Sequence, residues 1–204
     1  MIKKIFQGYL NVVLVALLVF SGSVIAEDGI IAKPAVAIFA GGCFWCMEHP
    51  FDELDGVIST TSGYTGGHTE NPMYKEVSNG KTGHSEAMQV IYDPAKVSYE
   101  KLLDVFWHNI DPFDDDGQFC DKGDQYKAAI FYQGETQKQF AETSKIEITK
   151  KLANQHIVTT IKPASKFFPA EDYHQDYYLN NPKSYKFYRF TCGRDRRLSQ
   201  IWDE

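Results

Sequence analysis

The chain has 204 residues, with 27 acidic against 21 basic side chains and a net charge of −6. Its Lys and Arg residues are scattered, and the densest basic cluster, Arg194, Arg196 and Arg197, is broken by Asp195, so no stripe is offered to a phosphate backbone and nucleic acid is set aside as a partner. Such a length suits one domain with a sizeable core, and 14% aromatics with 12 Tyr exceeds what packing needs, which suits the wall of a pocket.

In chain order, Lys3 and Lys4, the apolar run from Val12 to Phe20 and the small residues around Ser23-Val-Ile-Ala26 predict an export signal over residues 1–26, cleaved after Ala26. The mature domain is then residues 27–204, expected to be a periplasmic monomer without stable membrane association. An uncleaved anchor over residues 9–26 is the alternative. Cleavage removes two lysines and no acid, leaving 19 basic against 27 acidic side chains, a net of −8. All four cysteines, Cys43, Cys46, Cys120 and Cys192, lie in the mature part. Three full pairings are open to them.

Residues 35–40, AVAIFA, predict a short buried strand that delivers Gly41-Gly-Cys-Phe-Trp-Cys46 at its end. A helix starting after the glycines would lower the pKa of Cys43 through its unpaired N–H groups and dipole. A glycine pair and flanking Phe44 and Trp45 favour redox chemistry over a buried structural pair. The helix is expected to run to about Leu54. Pro50 cannot close a bond on the Cys46 carbonyl, so the first turn is read as separable from the rest.

Further strands are predicted at 57–62, 84–92, 128–132 and 157–161, and a helix at about 136–152. Another helix, capped by Ser98, carries the stripe Tyr99, Leu102, Leu103, Phe106 and Trp107 and stops at Asp111-Pro112. Period-two alternation puts Glu86 on one face with His84, Met88, Val90 and Tyr92. If that face is buried, desolvation raises the Glu86 pKa and makes it a candidate general acid; an exposed glutamate paired with a lysine is the alternative. The acidic stretch 111–124 fails as a calcium loop, because position one would be Pro112 and position twelve Gly123. Zinc lacks its paired ligands. From about Ala164 onward no period is visible, and an irregular, partly ordered wrap is expected. Intermixed helices and strands predict an α+β sandwich.

Taken together, Gly42-Cys-Phe-Trp45, Gly63-Tyr-Thr-Gly-Gly67, Asn71-Pro-x-Tyr74, Gly83-His-x-Glu86, Tyr92-Asp-Pro94, Gln125-Tyr126 and the late Glu171-Asp-Tyr-His-Gln-Asp-Tyr with Asn181-Pro182 resemble the A-class peptide methionine sulfoxide reductases. The resemblance implies a two-layer α/β sandwich with a mixed sheet, a ferredoxin-like core and a long irregular C-terminal segment. It implies Cys43 as the nucleophile at the sulfoxide sulfur and Glu86 as the proton donor. Tyr74, Tyr126 and Asp121 would surround the oxygen, and Phe44 and Trp45 would wall the S-methyl group. The implied activity reduces the S epimer of methionine sulfoxide, in proteins and as the free amino acid. Electrons would come from a thioredoxin-type donor, with no metal or organic cofactor.

Attack leaves a sulfenic acid on Cys43 that a second thiol must resolve. Many relatives have Gly where Cys46 stands and keep their resolving cysteines near the C-terminus; here Cys46, close in sequence to Cys43, is favoured, followed by Cys192 in the tail and then Cys120 beside Asp121. A stabilising Cys120–Cys192 bridge is the alternative for the last two. Asp124 stands where relatives often carry Thr or Ser. His84 and His174 are read as hydrogen-bonding struts. A general thiol-disulfide oxidoreductase on Cys43 and Cys46 is the rival enzyme, and a binding module for oxidised methionine the rival without turnover.

Overall fold

The computed structural model describes residues 33–153 and 155–203. The expected export signal and its cleavage position lie outside these residues. Among the described residues no helix is long and apolar enough to cross a membrane.

In chain order the elements are β1 (Ala35–Ala40), α1 (Phe44–Asp52), β2 (Val57–Thr65), α2 (Tyr74–Ser78), β3 (Ser85–Tyr92), α3 (Tyr99–His108), β4 (Gly117–Gln118), β5 (Asp121–Lys122), β6 (Ala129–Tyr132), α4 (Gly134–Lys151), β7 (Thr160–Pro163), β8 (Phe168–Pro169), α5 (Tyr177–Asn180), α6 (Pro182–Thr191) and α7 (Arg194–Trp202). Among the described residues the main sheet runs β7-β6-β1-β3-β2-β8. Its β6–β7 pair is parallel and the other pairs are antiparallel. This is the α+β arrangement with a mixed sheet that the sequence predicts.

β1 lies between β3 and β6 and is apolar throughout because both of its faces are covered. Ala37 and Phe39 point, with Met88, Val90 and Ile130, into the main core beneath α1 and α3; Ile38 and Ala40 pack with Ala87, Ala129 and Phe131 on the other side. The Phe39 ring stacks on Phe51 of α1 at 5.3 Å and on Phe106 of α3 at 5.2 Å between centroids. α3 begins where Ser98 Oγ accepts the Lys101 N–H at 3.2 Å, and its predicted stripe is buried from Tyr99 to Trp107.

Three expectations need correction. The strand read at 157–161 starts later, at Thr160, because the Val158 N–H donates to the Pro112 carbonyl at 2.9 Å and Ile157 turns into the core. The C-terminal segment is not an irregular wrap, since it forms β8 and α5 to α7. Those helices bury few apolar side chains, Tyr185 in α6 and Leu198 in α7, so little hydrophobic period marks them. Third, α1 runs unbroken through Pro50. The Cys46 carbonyl that Pro50 cannot serve accepts instead from Arg189 Nη1 at 3.4 Å, which removes the basis for a separable first turn.

Candidate active site

β1 reaches the site through two glycines that tolerate no side chain. A Cβ on Gly41 would lie 2.6 Å from Met47 Sδ, and Gly42 combines φ of +82° with a Cβ position 2.6 Å from Gln118 Cβ. Cys43 follows as the N-cap residue of α1. The first helical N–H, that of Phe44, donates to Glu86 Oε2 at 3.2 Å. Glu86 projects from β3 opposite Tyr64 of β2, only 2% exposed. Burial pushes its carboxyl up to about 8, with the Phe44 N–H opposing the rise.

The electrostatics of Cys43 are opposite to expectation. Burial, followed by its hydrogen bond to the Cys46 thiol, pushes the Cys43 thiol up, while that same bond brings Cys46 down to about 7, aided by Arg194 and Arg189. The Phe44 N–H at the helix end is spent on Glu86, so that donor does not offset the effect of burial on Cys43.

Cys43, Phe44, Trp45, Tyr74, Glu86, Asp121, Tyr126 and Tyr188 line one small cavity of about 70 Å³. Seven of these are residues singled out from the sequence. Burial, reinforced by Glu86, pushes Tyr74 up to about 12 and raises Tyr126 as well, so both keep the O–H needed to donate. Burial also raises Asp121, opposed by a donated bond from the Tyr188 hydroxyl.

A layer of side chains behind the cavity fixes its walls. Glu171 accepts the Tyr74 N–H and the Tyr64 hydroxyl, each at 2.8 Å. Trp45 Nε1 donates to His174 Nδ1 at 3.0 Å, and Tyr177 stacks on the indole at 3.7 Å between centroids. Gln175 grips the Ser62 backbone at both N–H and carbonyl, strapping this segment to β2. His84 accepts from the Gly67 N–H at 3.1 Å and bonds the Thr69 carbonyl at 2.8 Å, the arrangement of a strut.

Cys120 and Cys192 form a disulfide, while Cys43 and Cys46 are free thiols. The bridge joins the β4–β5 turn, directly before Asp121, to the end of α6, one turn beyond Tyr188. Cys120, Asp121 and Cys192 lie close enough to suggest a metal cluster, but disulfide sulfurs are not thiolate ligands. Two important residues were missed. Tyr188 lies three residues after the buried Tyr185, a helical spacing that could have revealed it. Arg194, 1% exposed, donates to the carbonyls of Gly41 at 3.0 Å and Asn109 at 2.6 Å and lies over the Phe119 ring at 4.5 Å; its basic neighbours gave no hint of burial.

The family described as peptide methionine sulfoxide reductase matches residues 35–204. The peptide methionine sulfoxide reductase MsrA of Bacillus licheniformis is 50% identical over 171 residues, covering 83% of this chain and 94% of the relative. That of Streptococcus agalactiae is 54% identical over 167 residues, covering 81% and 98%. Among solved structures, reduced Mxr1 from Saccharomyces cerevisiae matches with a TM-score of 0.70 at 33% identity, over 74% of this chain and 87% of that one. Methionine sulfoxide reductase A of Corynebacterium diphtheriae matches at 0.69 and 35% identity, over 73% and 76%. With its thiol pair, buried acid and aromatic cavity in this setting, the chain belongs to the peptide methionine sulfoxide reductase family, in its A class.

Proposed function

We propose that the protein, which reduces methionine sulfoxide to methionine, acts on the S epimer, in proteins and as the free amino acid, with Cys43 as nucleophile and Glu86 as acid. The observation that carries this reading is the buried Glu86, whose carboxyl burial pushes up to about 8, sharing one small cavity with Cys43. The substrate's S-methyl group rests against Phe44 and Trp45, and its oxygen meets the hydroxyls of Tyr74 and Tyr126. Asp121, holding Tyr188, orients that polar side.

The Cys46 thiolate takes the Cys43 proton as Cys43 bonds to the sulfoxide sulfur. Glu86 gives its proton to the oxygen, which is a poor leaving group without one. The protonated oxygen then passes to the Cys43 sulfur as the substrate S–O bond and the new Cys43–substrate sulfur bond both break, so methionine departs and Cys43 holds a sulfenic acid, with two electrons passed from Cys43 to the substrate. Cys46 then attacks the Cys43 sulfur. Water leaves with the Cys46 proton, a Cys43–Cys46 disulfide forms, and Glu86 regains a proton from solvent. Cys46 is preferred over Cys192 and Cys120 because it is a free thiol three residues from Cys43 in the first turn of α1, its N–H donating to the Cys43 carbonyl at 3.1 Å, whereas those two are joined to each other.

A dithiol donor of the thioredoxin type would reduce the new disulfide. The yeast relative Mxr1 has been solved in complex with Trx2, which supports that choice. The basic, apolar and small-residue pattern of residues 1–26 supports export to the periplasm with the signal then cleaved.

The experiment follows loss of the S and R epimers of a methionine sulfoxide peptide separately, with a small dithiol reductant and a Cys43→Ser control. Turnover of the S epimer alone, abolished in the control, is expected. Loss of both epimers at similar rates, or turnover that survives Cys43→Ser, would sink the proposal.

A further inference from the structure

We propose that Glu48, Asp52 and Asp176, beside the Trp45–Tyr177 stack, bind a hard divalent cation, with calcium the best match. One ligand oxygen from each of the three lies within 4.8 Å of the others. Among the described residues none of the three forms an ion pair, so their converging negative charge is met by no Lys or Arg.

Glu48 is the second observation. It is 1% exposed, and its Oε2 has no hydrogen-bond partner, although Oε1 accepts the Asp176 N–H at 3.2 Å. A desolvated carboxylate oxygen without a partner is costly to bury, and a cation between it and its acidic neighbours removes both the orphan and the repulsion.

The three ligands differ in freedom. Asp52 is fixed by donors on each oxygen, Thr60 Oγ1 at 2.8 Å and the Tyr178 hydroxyl at 3.1 Å. Asp176 is exposed, in the left-handed region at φ +52°, and its side chain caps no helix end, so it can close over an ion from the solvent side. Three carboxylates with water completing the shell form an all-oxygen set. Calcium accepts six to eight such ligands in irregular geometry, whereas zinc prefers nitrogen and sulfur. None of the three takes part in the proposed reaction. Glu48 follows Trp45 by three residues in α1, and Asp176 directly precedes Tyr177, which stacks on Trp45, so the ion would clamp the wall of the cavity.

The test uses the full chain, treated with a chelator and dialysed at pH 7.5, titrated with calcium by calorimetry and followed by thermal melting. Asp176→Asn is the control variant, because Asn keeps the shape and tolerates the left-handed backbone. Saturable heat is expected with wild type, together with a rise in melting temperature of roughly 3–5 °C at about ten times the Kd. Both should be weakened in Asp176→Asn, which keeps an oxygen but loses a charge, with the Kd at least roughly tenfold higher. Absence of saturable heat with wild type up to about 10 mM calcium, well above the weakest protein calcium sites, would overturn the proposal. So would an equal response of the variant.

Discussion

The backbone N–H of Phe44 donates to Glu86 Oε2 at 3.2 Å, so the leading donor of α1 serves the carboxyl group and not the neighbouring Cys43 sulfur. Acid and nucleophile are thereby tied to the same helix end. Burial pushes the carboxyl up to about 8 and raises the Cys43 thiol, while Cys46 is lowered. Each of these has a measurable consequence.

For Glu86 the sign is unusual for a carboxylate. Its folded value of about 8 lies above the ordinary value of about 4.3. The native state therefore holds a proton that the unfolded chain releases, and the stability this contributes is full below the ordinary value and lost as pH rises through 8. Glu86→Gln should remove that slope and stabilise the protein at pH 8, by a few kcal/mol at most in order of magnitude. The same variant should lower kcat/KM by about 10²–10⁴-fold, since it has no proton to give. Urea unfolding at several pH values and epimer-resolved kinetics check the two halves. A variant that loses activity and keeps the wild-type pH slope would separate Glu86 from the buried proton.

The thiol pair predicts the shape of the pH–rate profile. The Cys43–Cys46 pair needs its shared charge, which forms as pH rises through about 7, while Glu86 must keep its proton and fails above about 8. kcat/KM should therefore be bell-shaped with a maximum near pH 7–8, both limbs belonging to the coupled cluster. Glu86→Gln should lose the falling limb from its residual activity. A profile that rises without a break to pH 10 would remove Glu86 as the proton donor.

Cys46→Ser should split the first chemical step from the second. The variant should lose the charge on Cys46 and, with it, turnover supported by a thioredoxin-type donor. It should still release up to one methionine per enzyme at a reduced rate and leave a sulfenic acid on Cys43 that a dimedone-type reagent traps. Mass spectrometry of the labelled protein reads this directly. Unimpaired turnover with the donor would transfer the resolving role to another thiol.

The Cys120–Cys192 bridge spans 72 residues, and loops of this length favour a stabilising role. Cys120→Ser combined with Cys192→Ser should cost about 2–5 kcal/mol of stability and leave single-turnover release of methionine in place. Denaturant unfolding and a rapid-quench assay give the two numbers. Loss of the single turnover with stability unchanged would make the bridge part of the chemistry instead.

How much of this was legible in the sequence depended on the range of the interaction. β1 and the α3 stripe were visible because their signal is local: consecutive apolar residues in a strand covered on both faces, and helical spacing capped by Ser98. The cavity residues were visible because glycines, tyrosines and the thiol pair stand in short motifs. The Cys43 thiol was misread because its burial depends on the whole packed site, and the Phe44 N–H expected to favour it goes to Glu86, 42 residues away. The weakness assigned to Pro50 was misread because Arg189, 143 residues after Cys46, takes the orphan carbonyl. Arg194 looked like a solvated charge, and only the meeting of α7 with Gly41 and Asn109 buries it.

Tyr188 offers the sharpest check on the cavity beyond the motifs. Its hydroxyl donates to Asp121 Oδ2, it lines the cavity with Cys43, and its ring meets Trp45 edge-on at 5.9 Å between centroids. Tyr188→Phe keeps the ring and removes the donor, so packing should hold and the fold should melt near the wild-type temperature. Asp121 then loses the bond that opposes the effect of burial on its carboxyl, which is raised further, and its orientation toward the substrate oxygen loosens. One charge-assisted bond of this kind is worth about 1.5–3 kcal/mol, so kcat/KM should fall by roughly 10–100-fold. The fall should be smallest at high pH, where Asp121 is ionised in either protein, before the Glu86 limb takes over. Kinetics that match wild type across pH 6–8 would reduce Tyr188 to a packing residue and leave Asp121 held by its own loop and the neighbouring disulfide.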